Sequence, residues 1–387
     1  DPTLCGVGVS SPCEDESGLR SCSPPSDSYH ELHGRIEIPI FQEGTPPYLT
    51  PADGGGITRE GGQPVIAQMD KVCFALTIPK VDQAPANGFP LVLYAHGTGG
   101  SFRGAVDSGL AESMAAAQAA TLAIDLPQHG ERRGDSELSP EQLFFNFANP
   151  EAARDNVIQG AADLMAAVYW AEQSSLEAAE SPTGDAITFD SASIVLYAHS
   201  QGSIHAALAV PYEPLLSAVV LSGIGGHLTH SLLNKTEPVD IAALLPIALF
   251  DENLDGVLSG GPSNPALALL QTYFEASDPV NFGELLRPSE GSNTGRHVMM
   301  TYGLGDMYTP EVTQQAYARS ATLDVVSPVY TESTFGLETA APPLVGNVVI
   351  EESETAWTLG LRQYLPESGD DGHFVATNTE QGLADTH

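Results

Sequence analysis

Ser200 is the residue of this sequence whose setting most clearly suggests covalent chemistry. It follows an apolar run over residues 194–198, and the small residues Ala198 and Gly202 stand two positions before and after it. A sharp turn from a strand into a helix needs small residues at these positions and exposes the serine hydroxyl at its apex. The pattern therefore predicts Ser200 as a nucleophile. A similar pattern surrounds Ser113, but it lies in an alanine-rich helical stretch with no strand before it.

A nucleophilic serine also needs a base to remove its proton and an acid to orient that base. Two later loops supply candidates: Asp306 follows an apolar run that ends at Gly303, and His373 follows one that ends near Tyr364. Partners of such a serine come from loops after the last strands of the sheet. We therefore predict Ser200, Asp306 and His373 as nucleophile, acid and base, in that chain order.

Other acids and histidines compete for these roles. Asp251 and Asp255 are alternative acids, but they fall inside a long insertion. His297, within a strand, and His387, at the terminus, are alternative bases. Three further histidines are expected to shape loops through hydrogen bonds rather than to catalyse: His96, His129 and His199.

The negative charge that develops on a substrate oxygen needs backbone N–H donors. Residues 96–100 read His-Gly-Thr-Gly-Gly and follow the first long apolar strand. Glycines at this point let the backbone approach a substrate closely. The sequence therefore predicts the N–H of Thr98 as one donor and the N–H of Gln201 as the second.

These motifs resemble those of the α/β-hydrolase superfamily, and most closely those of secreted bacterial lipases and esterases. Three motifs carry the resemblance: H-G-x-G-G at 96–100, D-x-P-x-H-G at 125–130 and A-H-S-x-G at 198–202. It extends over about residues 85–130, 150–225 and 295–375. Ala198 replaces the commoner glycine.

The resemblance implies an α/β-hydrolase fold and assigns a role to each candidate. Ser200 is then the nucleophile, His373 the general base and acid, and Asp306 the residue that orients His373. The N–H groups of Thr98 and Gln201 are then the oxyanion donors.

Apolar runs alternate with helical patterns along most of the chain, which predicts an α/β fold with a mostly parallel sheet and helices on both faces. Strands are predicted at 34–41, 72–79, 90–96, 121–125, 192–197, 218–221, 297–303, 344–350 and 357–364. Helices are predicted at 109–120, 150–173, 240–250, 265–276 and directly after Ser200. We expect residues 1–34 to form a disulfide-rich extension and residues 35–387 the hydrolase domain, with a lid-like insertion at about 223–296.

The insertion is rich in apolar side chains, which would either form a lid and an acyl-binding wall or simply pack onto the core. These residues are Leu244, Leu245, Ile247, Leu249, Phe250, Leu267, Leu269, Leu270 and Phe274. Met307 and Tyr308, beside the predicted acid, are expected to line the substrate pocket.

The insertion also contains an acidic segment that matches the first half of a calcium-binding loop. Asp251, Asn253 and Asp255 alternate as oxygen donors, and Gly256 follows them. Pro262 replaces the glutamate that completes such a loop. The segment is either a structural calcium site completed by another carboxylate or an acidic turn between helices; no cofactor is required for the predicted chemistry.

The charge of the chain is strongly acidic. Its 387 residues include 50 aspartates and glutamates but only 14 lysines and arginines, which gives a formal net charge of −36. Binding to nucleic acid needs a basic face, so nucleic acid is an unsuitable partner. We interpret the charge as adaptation to a saline environment; ordinary acidic drift is the alternative.

The four cysteines indicate an oxidising compartment. Three of them, Cys5, Cys13 and Cys22, lie in a loop-rich terminus, and Cys73 is the fourth. This even number suggests two disulfides with three possible pairings. The start at Asp1 without an apolar leader fits a removed targeting segment or a trimmed sequence, and no apolar run reaches the ~20 residues of a membrane span. We expect a secreted protein.

The predicted function is hydrolysis of neutral carboxylic esters, such as acylglycerols, short-chain esters or an extracellular polyester, by a monomeric serine hydrolase. A serine peptidase or amidase on the same fold is the alternative. A non-catalytic hydrolase-like binding protein is a third, which the complete set of predicted catalytic residues disfavours.

Overall fold

The computed structural model describes residues 2–249, 258–288, 295–331, 336–350 and 355–387. The chain divides into two compact units. The first comprises residues 1–209 with 215–218 and 387, and the second comprises 210–214 and 219–386. The strand β6 (Leu216–Ser222) has residues in both units.

The first unit contains five long strands. They are β1 (Tyr29–Ile40), β2 (Gln68–Pro79), β3 (Phe89–Ala95), β4 (Ala120–Ile124) and β5 (Phe189–His199). Their order in the sheet is β1-β2-β4-β3-β5. The first three neighbours pair antiparallel, whereas β3 pairs parallel with both β4 and β5. Short strands at Thr3–Leu4, Gln42–Gly44, Gly54–Ile57, Arg59–Glu60 and Gln63–Pro64 complete the unit's sheets.

The parallel strands are buried on both sides. In β3, residues 91–95 are all buried, and β4 is buried throughout. Apolar residues at successive positions project to opposite faces, so such a run indicates a sheet covered on both faces. The parallel register pairs Ala95 with Ala198, which brings the ends of β3 and β5 side by side.

Helices of the first unit follow the strands. They are α1 (Gly104–Asp107), α2 (Leu110–Ala116), α3 (Pro140–Phe144), α4 (Pro150–Gln173) and α5 (Gln201–Ala209). At the start of α4 the side chain of Asn149 accepts a hydrogen bond from the N–H of Ala152, and proline occupies the first helical position. Both features favour a helix start. α4 packs against α5.

The second unit contains an all-parallel set of strands. β7 (His297–Gly303), β9 (Leu359–Tyr364), β8 (Asp324–Val326) and a short strand at Thr339–Ala340 are neighbours in that order. A separate antiparallel pair joins Val348–Ile350 to Thr355–Trp357. The end of β7 lies directly against the loop that follows β9. A Cβ on Gly303 would lie 1.8 Å from the carbonyl oxygen of Gly372.

Six helices are described in the second unit. They are α6 (Leu228–Asn234), α7 (Ile241–Ala248), α8 (Pro265–Phe274), α9 (Glu311–Ala321), α10 (Val375–Asn378) and α11 (Glu380–Thr386). The first three belong to the segment between β6 and β7, residues 223–296. Its helices pack around a small core of Leu232, Leu245, Leu258 and Leu267.

Two disulfides join the four cysteines, as the sequence predicts. Cys5 pairs with Cys22, and Cys13 pairs with Cys73. The second bond ties the N-terminal segment to β2. No helix of the described residues combines the length and the apolar composition that crossing a bilayer requires.

Several predicted boundaries are wrong for identifiable reasons. β1 begins at Tyr29 rather than 34, because Glu31 and His33, which look like loop residues, are buried and hydrogen-bonded to each other. The helix predicted at 109–120 ends at Ala116, and Gln118 then takes a left-handed φ of 60°. β8, α6 and α9 were not predicted, and the predicted strand at 344–350 is only the short strand Val348–Ile350.

Candidate active site

Ser200 occupies a strained turn between β5 and α5. Its φ is 53°, in the left-handed region that residues with a side chain rarely adopt. The turn is tight because α5 starts directly against β3: a Cβ on Gly202 would lie 2.1 Å from the carbonyl oxygen of Ala95. Ala198, on the other side, is fully buried. The predicted need for small residues on both sides of Ser200 therefore has a direct steric cause.

The loop after β3 approaches the same turn. A Cβ on Gly97 would lie 3.0 Å from Cβ of Ser200 and 3.1 Å from the ring of His199. The next residue is Thr98, whose hydroxyl donates a hydrogen bond to the side-chain oxygen of Gln201 over 3.0 Å. The structure thus brings together Ser200 and both residues predicted to supply oxyanion donors.

Gln201 is the first residue of α5, a helix of nine residues. The first N–H groups of a helix have no acceptor within it and carry a partial positive charge. The N–H of Gln201 therefore suits a developing negative charge beside Ser200.

His129 shapes the loop that contains Thr98 through hydrogen bonds, as expected from the sequence. Its Nε2 accepts a hydrogen bond from the N–H of Gly99 over 2.9 Å, and its Nδ1–H donates to the carbonyl of Pro127 over 2.9 Å. Burial lowers the pKa of His129 to about 3, and the nearby His96 adds to this effect. The ring is therefore neutral, with Nε2 as an acceptor, at ordinary pH.

His96 has the same arrangement. Its Nδ1–H donates to the carbonyl of Gly97 over 2.8 Å, and its Nε2 accepts from the N–H of Leu126 over 3.1 Å. Burial lowers the pKa of His96 to about 4. His96 and His129 thus tie the loops after β3 and β4 to each other.

Asp306 and His373 form a buried pair in the second unit. The Nδ1 of His373 lies 2.9 Å from Oδ2 of Asp306, and both side chains are at least 95% buried. The carboxylate can only accept, so Nδ1 carries the proton. A proton on Nδ1 leaves Nε2 as the acceptor nitrogen of the neutral tautomer, which is the tautomer a general base requires.

The carboxylate of Asp306 is held by backbone donors. Its Oδ1 accepts from the N–H groups of Tyr308 at 2.9 Å and Thr309 at 2.6 Å. The amide of Gln314 approaches Oδ2 at 3.4 Å. Because Oδ2 faces His373, the backbone hydrogen bonds to Oδ1 fix the carboxylate plane relative to the imidazole.

The imidazole of His373 is clamped by aromatic rings and a close backbone. Tyr308 stacks on it with a centroid distance of 4.9 Å, and Phe374 meets it edge-on at 5.1 Å. A Cβ on Gly223 would lie 2.7 Å from its Cε1. Tyr308 therefore touches the predicted base, whereas the other predicted pocket residue, Met307, is 46% exposed.

Residues 92–333 match a sequence profile described as the alpha/beta hydrolase family. The chain belongs to this family. The match confirms the predicted superfamily and the predicted α/β fold class. A comparison with curated protein sequences gives no match.

Solved structures similar to this hydrolase include esterases and peptidases. Acetyl xylan esterase from Paenibacillus sp. R4 is 15% identical with a TM-score of 0.52, over 96% of this chain and 83% of that one. Acetyl xylan esterase 1 from Thermoanaerobacterium sp. JW/SL YS485 is 12% identical with a TM-score of 0.46, over 85% and 84%. An acylaminoacyl peptidase from Pyrococcus horikoshii is 10% identical with a TM-score of 0.42, over 93% and 40%. The likeness to the Paenibacillus enzyme indicates the fold alone.

The insertion of the hydrolase is attached to the loop that carries the predicted acid, Asp306. The N–H groups of Thr236 and Glu237 approach the carbonyl of Met307 at 3.2 Å. The buried carboxylate of Asp278 accepts from the N–H groups of His227 and Leu228 at the start of α6. The first part of the insertion, residues 227–237, therefore belongs to the same packed region as Asp306.

The apolar residues of the insertion divide into two groups. Leu245 and Leu267 are buried in its small core, with Leu249 and Leu270 packed against them. Leu244, Ile247 and Leu269 are exposed, the last at 73%. Phe250 lies outside the described residues, as do the possible calcium ligands Asp251, Asn253 and Asp255, so the calcium site stays a prediction.

The weaker candidates lie in less suitable settings. The ring of His297 accepts a hydrogen bond from the N–H of Thr358 and packs on Trp357. Ser113 lies within α2, with its Oγ 3.4 Å from Nδ1 of His387. α2 follows α1 rather than a strand, so Ser113 does not lie at a strand-to-helix turn like that of Ser200.

Asp371 is a site residue that sequence analysis missed. Its carboxylate accepts from the N–H of His373 at 2.8 Å and from that of Met307 at 3.3 Å. It therefore joins the loop of the predicted base, His373, to the loop of the predicted acid, Asp306. An aspartate side chain often accepts a hydrogen bond from the backbone N–H two residues later and so stabilises a turn. The position of Asp371 two residues before His373 could therefore have indicated this role.

Proposed function

We propose that this hydrolase cleaves neutral carboxylic esters through an acyl-enzyme formed on Ser200. The observation that carries the proposal is the left-handed turn at Ser200, with the Gly97 backbone beside it and the start of α5 directly after it. Such a turn costs conformational energy. The need to present a nucleophilic hydroxyl to a substrate explains why the chain adopts it at Ser200.

The proposed first step forms the acyl-enzyme. His373 Nε2 takes the proton of the Ser200 hydroxyl while Oγ attacks the ester carbonyl carbon. The carbonyl oxygen becomes negative and accepts hydrogen bonds from the N–H groups of Thr98 and Gln201. The tetrahedral intermediate then expels the alcohol, which receives the proton from His373.

The second step hydrolyses the acyl-enzyme. His373 takes a proton from a water molecule, whose oxygen attacks the acyl carbon, and Ser200 leaves with the proton from His373. Asp306 keeps Nδ1 of His373 protonated and stabilises the imidazolium that forms in both steps. The 2.9 Å bond between the two residues supports this role.

The chemistry of the substrate is proposed from charge and surface. A net charge of −36 repels anionic substrates and carboxylate products, so neutral esters fit best. The exposed Leu244, Ile247 and Leu269 of the insertion provide an uncharged surface suited to an acyl chain or a polyester. The two disulfides support an extracytoplasmic location.

The test combines active-site labelling with kinetics. The parent protein should react with a fluorophosphonate at Ser200, located by mass spectrometry, and should hydrolyse p-nitrophenyl esters. Ser200→Ala should lose labelling and reduce kcat by roughly 10⁶-fold, as removal of a serine nucleophile does elsewhere. Ser113→Ala is the matched control and should keep both.

An ester series from acetate to palmitate and a set of peptide p-nitroanilides would define the substrate. Ester hydrolysis that falls with Ser200→Ala supports the proposal. Steady cleavage of the anilides without ester hydrolysis would instead indicate an amidase. Labelling or hydrolysis that survives in Ser200→Ala would refute the mechanism.

A further inference from the structure

A buried chain of hydrogen bonds connects the two proposed oxyanion donors to helix α4. The hydroxyl of Thr98 lies 3.0 Å from Oε1 of Gln201, and Nε2 of Gln201 lies 3.2 Å from Nε2 of His205. Nδ1 of His205 lies 3.0 Å from the carbonyl oxygen of Val157 on α4. We call these four residues the relay.

The direction of every bond in the relay follows from its last member. A carbonyl oxygen only accepts, so Nδ1 of His205 carries the proton and Nε2 is an acceptor. The Nε2 of Gln201 must then be the donating amide nitrogen, and Oε1 is the acceptor for the hydroxyl of Thr98. One backbone carbonyl thus fixes the amide orientation of Gln201 and the hydroxyl orientation of Thr98.

The relay is rigidly packed. His205 is fully buried, and Gln201 is 1% exposed. Gly160 makes room for the imidazole, because a Cβ there would lie 2.2 Å from Nδ1 of His205. Phe144 meets the same ring edge-on at 5.4 Å. Buried polar groups that satisfy one another in this way hold a single arrangement.

We propose that His205 is a positioning residue which, through Gln201, holds the side chains of both oxyanion donors in place. This inference rests on the proposed function. The hydroxyl of Thr98 is committed to Gln201, so Thr98 contributes its backbone N–H to the oxyanion and its side chain to the anchoring of the loop. The hole is therefore aligned before a substrate binds, and the relay acts on kcat rather than on affinity.

Two variants at His205 separate its two bonds. In His205→Asn the shorter amide reaches the place of Nδ1 and keeps the bond to Val157, but it loses the acceptor for Gln201. In His205→Gln the longer amide reaches the place of Nε2 and keeps that acceptor. We expect His205→Asn to lower kcat about 10-fold with KM within about twofold, and His205→Gln to recover most of the loss.

Thr98→Val tests the other end of the relay and keeps the shape of this half-buried side chain. The variant remains informative if the fully buried His205 tolerates no substitution. It should also lower kcat about 10-fold, and Thr98→Ser should restore part of the loss. The double variant Thr98→Val with His205→Asn should be no slower than the slower single variant, because both changes break one coupled chain.

Three results would overturn the relay. One is an unchanged kcat with only a lower unfolding temperature in both Thr98→Val and His205→Asn. Another is multiplication of the two losses in the double variant, which would indicate independent roles, such as direct donation by the Thr98 hydroxyl. The third is equal kcat for His205→Asn and His205→Gln. Fluorophosphonate labelling of Ser200 in the parent distinguishes these failures from failure of the proposed function.

Discussion

Three histidines of the first unit make the same pattern of hydrogen bonds. His96, His129 and His205 each donate from Nδ1 to a backbone carbonyl, and each has an acceptor Nε2 that meets an N–H group. Burial lowers the pKa of His96 to about 4 and that of His129 and His205 to about 3. The neutral imidazole is therefore used as a rigid connector with one donor and one acceptor.

This arrangement predicts that the folded protein loses stability in mild acid. The ordinary histidine pKa is near 6.5, so below that pH the unfolded chain binds protons that the folded chain excludes until about pH 4 to 3. Stability is complete above pH 6.5 and falls below it. Between pH 7.0 and 5.5 each histidine should lower the unfolding free energy by roughly 1 kcal/mol.

Denaturant unfolding at these two pH values measures the effect. His205→Gln should show a loss about 1 kcal/mol smaller than the parent, since it has one fewer buried group to protonate. His297→Gln, which replaces an exposed histidine, is the control and should show the parent's loss. A loss in His205→Gln equal to that of the parent would contradict the prediction.

At the scale of elements, the sequence was informative where local signals agreed with packing. α4 lies at its predicted bounds because Asn149 and Pro150 mark its start, and the Ser200 turn was predicted because Gly202 must lie against β3. The relay was not predicted. Periodicity places Gln201 and His205 on one face of a helix, but it does not reveal that Thr98 lies against the same face.

The N-terminal segment is held by more than its disulfides. Arg20 donates from Nε to the carbonyl of Cys13 at 3.0 Å and pairs with Asp125 through both terminal nitrogens, at 2.6 and 3.1 Å. Asp125 also accepts from the N–H of Phe102 at 3.0 Å, in the loop after β3. The Cys13–Cys73 bond therefore secures a segment that supports the loop carrying Thr98.

Removal of the two disulfides should consequently have unequal effects. The Cys13–Cys73 bond closes a sequence separation of 60 residues and the Cys5–Cys22 bond one of 17. Loop-closure entropy alone favours the longer loop by about 1 kcal/mol. A Cys13→Ser, Cys73→Ser double variant should also lower kcat, because it loosens Arg20.

The matched Cys5→Ser, Cys22→Ser variant should retain kcat and lose less stability. Unfolding temperature and ester hydrolysis measure both effects. Equal losses in the two double variants, or unchanged activity in the first, would show that the segment acts independently of the oxyanion loop.

At the scale of the whole molecule, three arginines among the few cationic residues form buried ion pairs with carboxylates. Arg20 pairs with Asp125 and Arg132 with Asp163, and Arg103 meets Glu31; these arginine side chains are at most 10% exposed. The excess of carboxylates is thus left largely on the surface. Buried pairs are screened weakly by salt, whereas exposed like charges are screened strongly.

This division predicts that salt stabilises the protein. Repulsion among surface carboxylates, with a net charge of −36, opposes the compact state at low ionic strength. Sodium chloride at 1 M shortens the Debye length to about 3 Å and removes that repulsion without weakening the buried ion pairs. The unfolding temperature at pH 7 should therefore rise by several degrees between 0.02 and 1 M salt, most steeply at the low end. Near pH 4.3, where the chain has no net charge, the same titration should produce a much smaller rise. An unfolding temperature that does not respond to salt at pH 7 would leave the acidic composition without a role in adaptation to saline conditions.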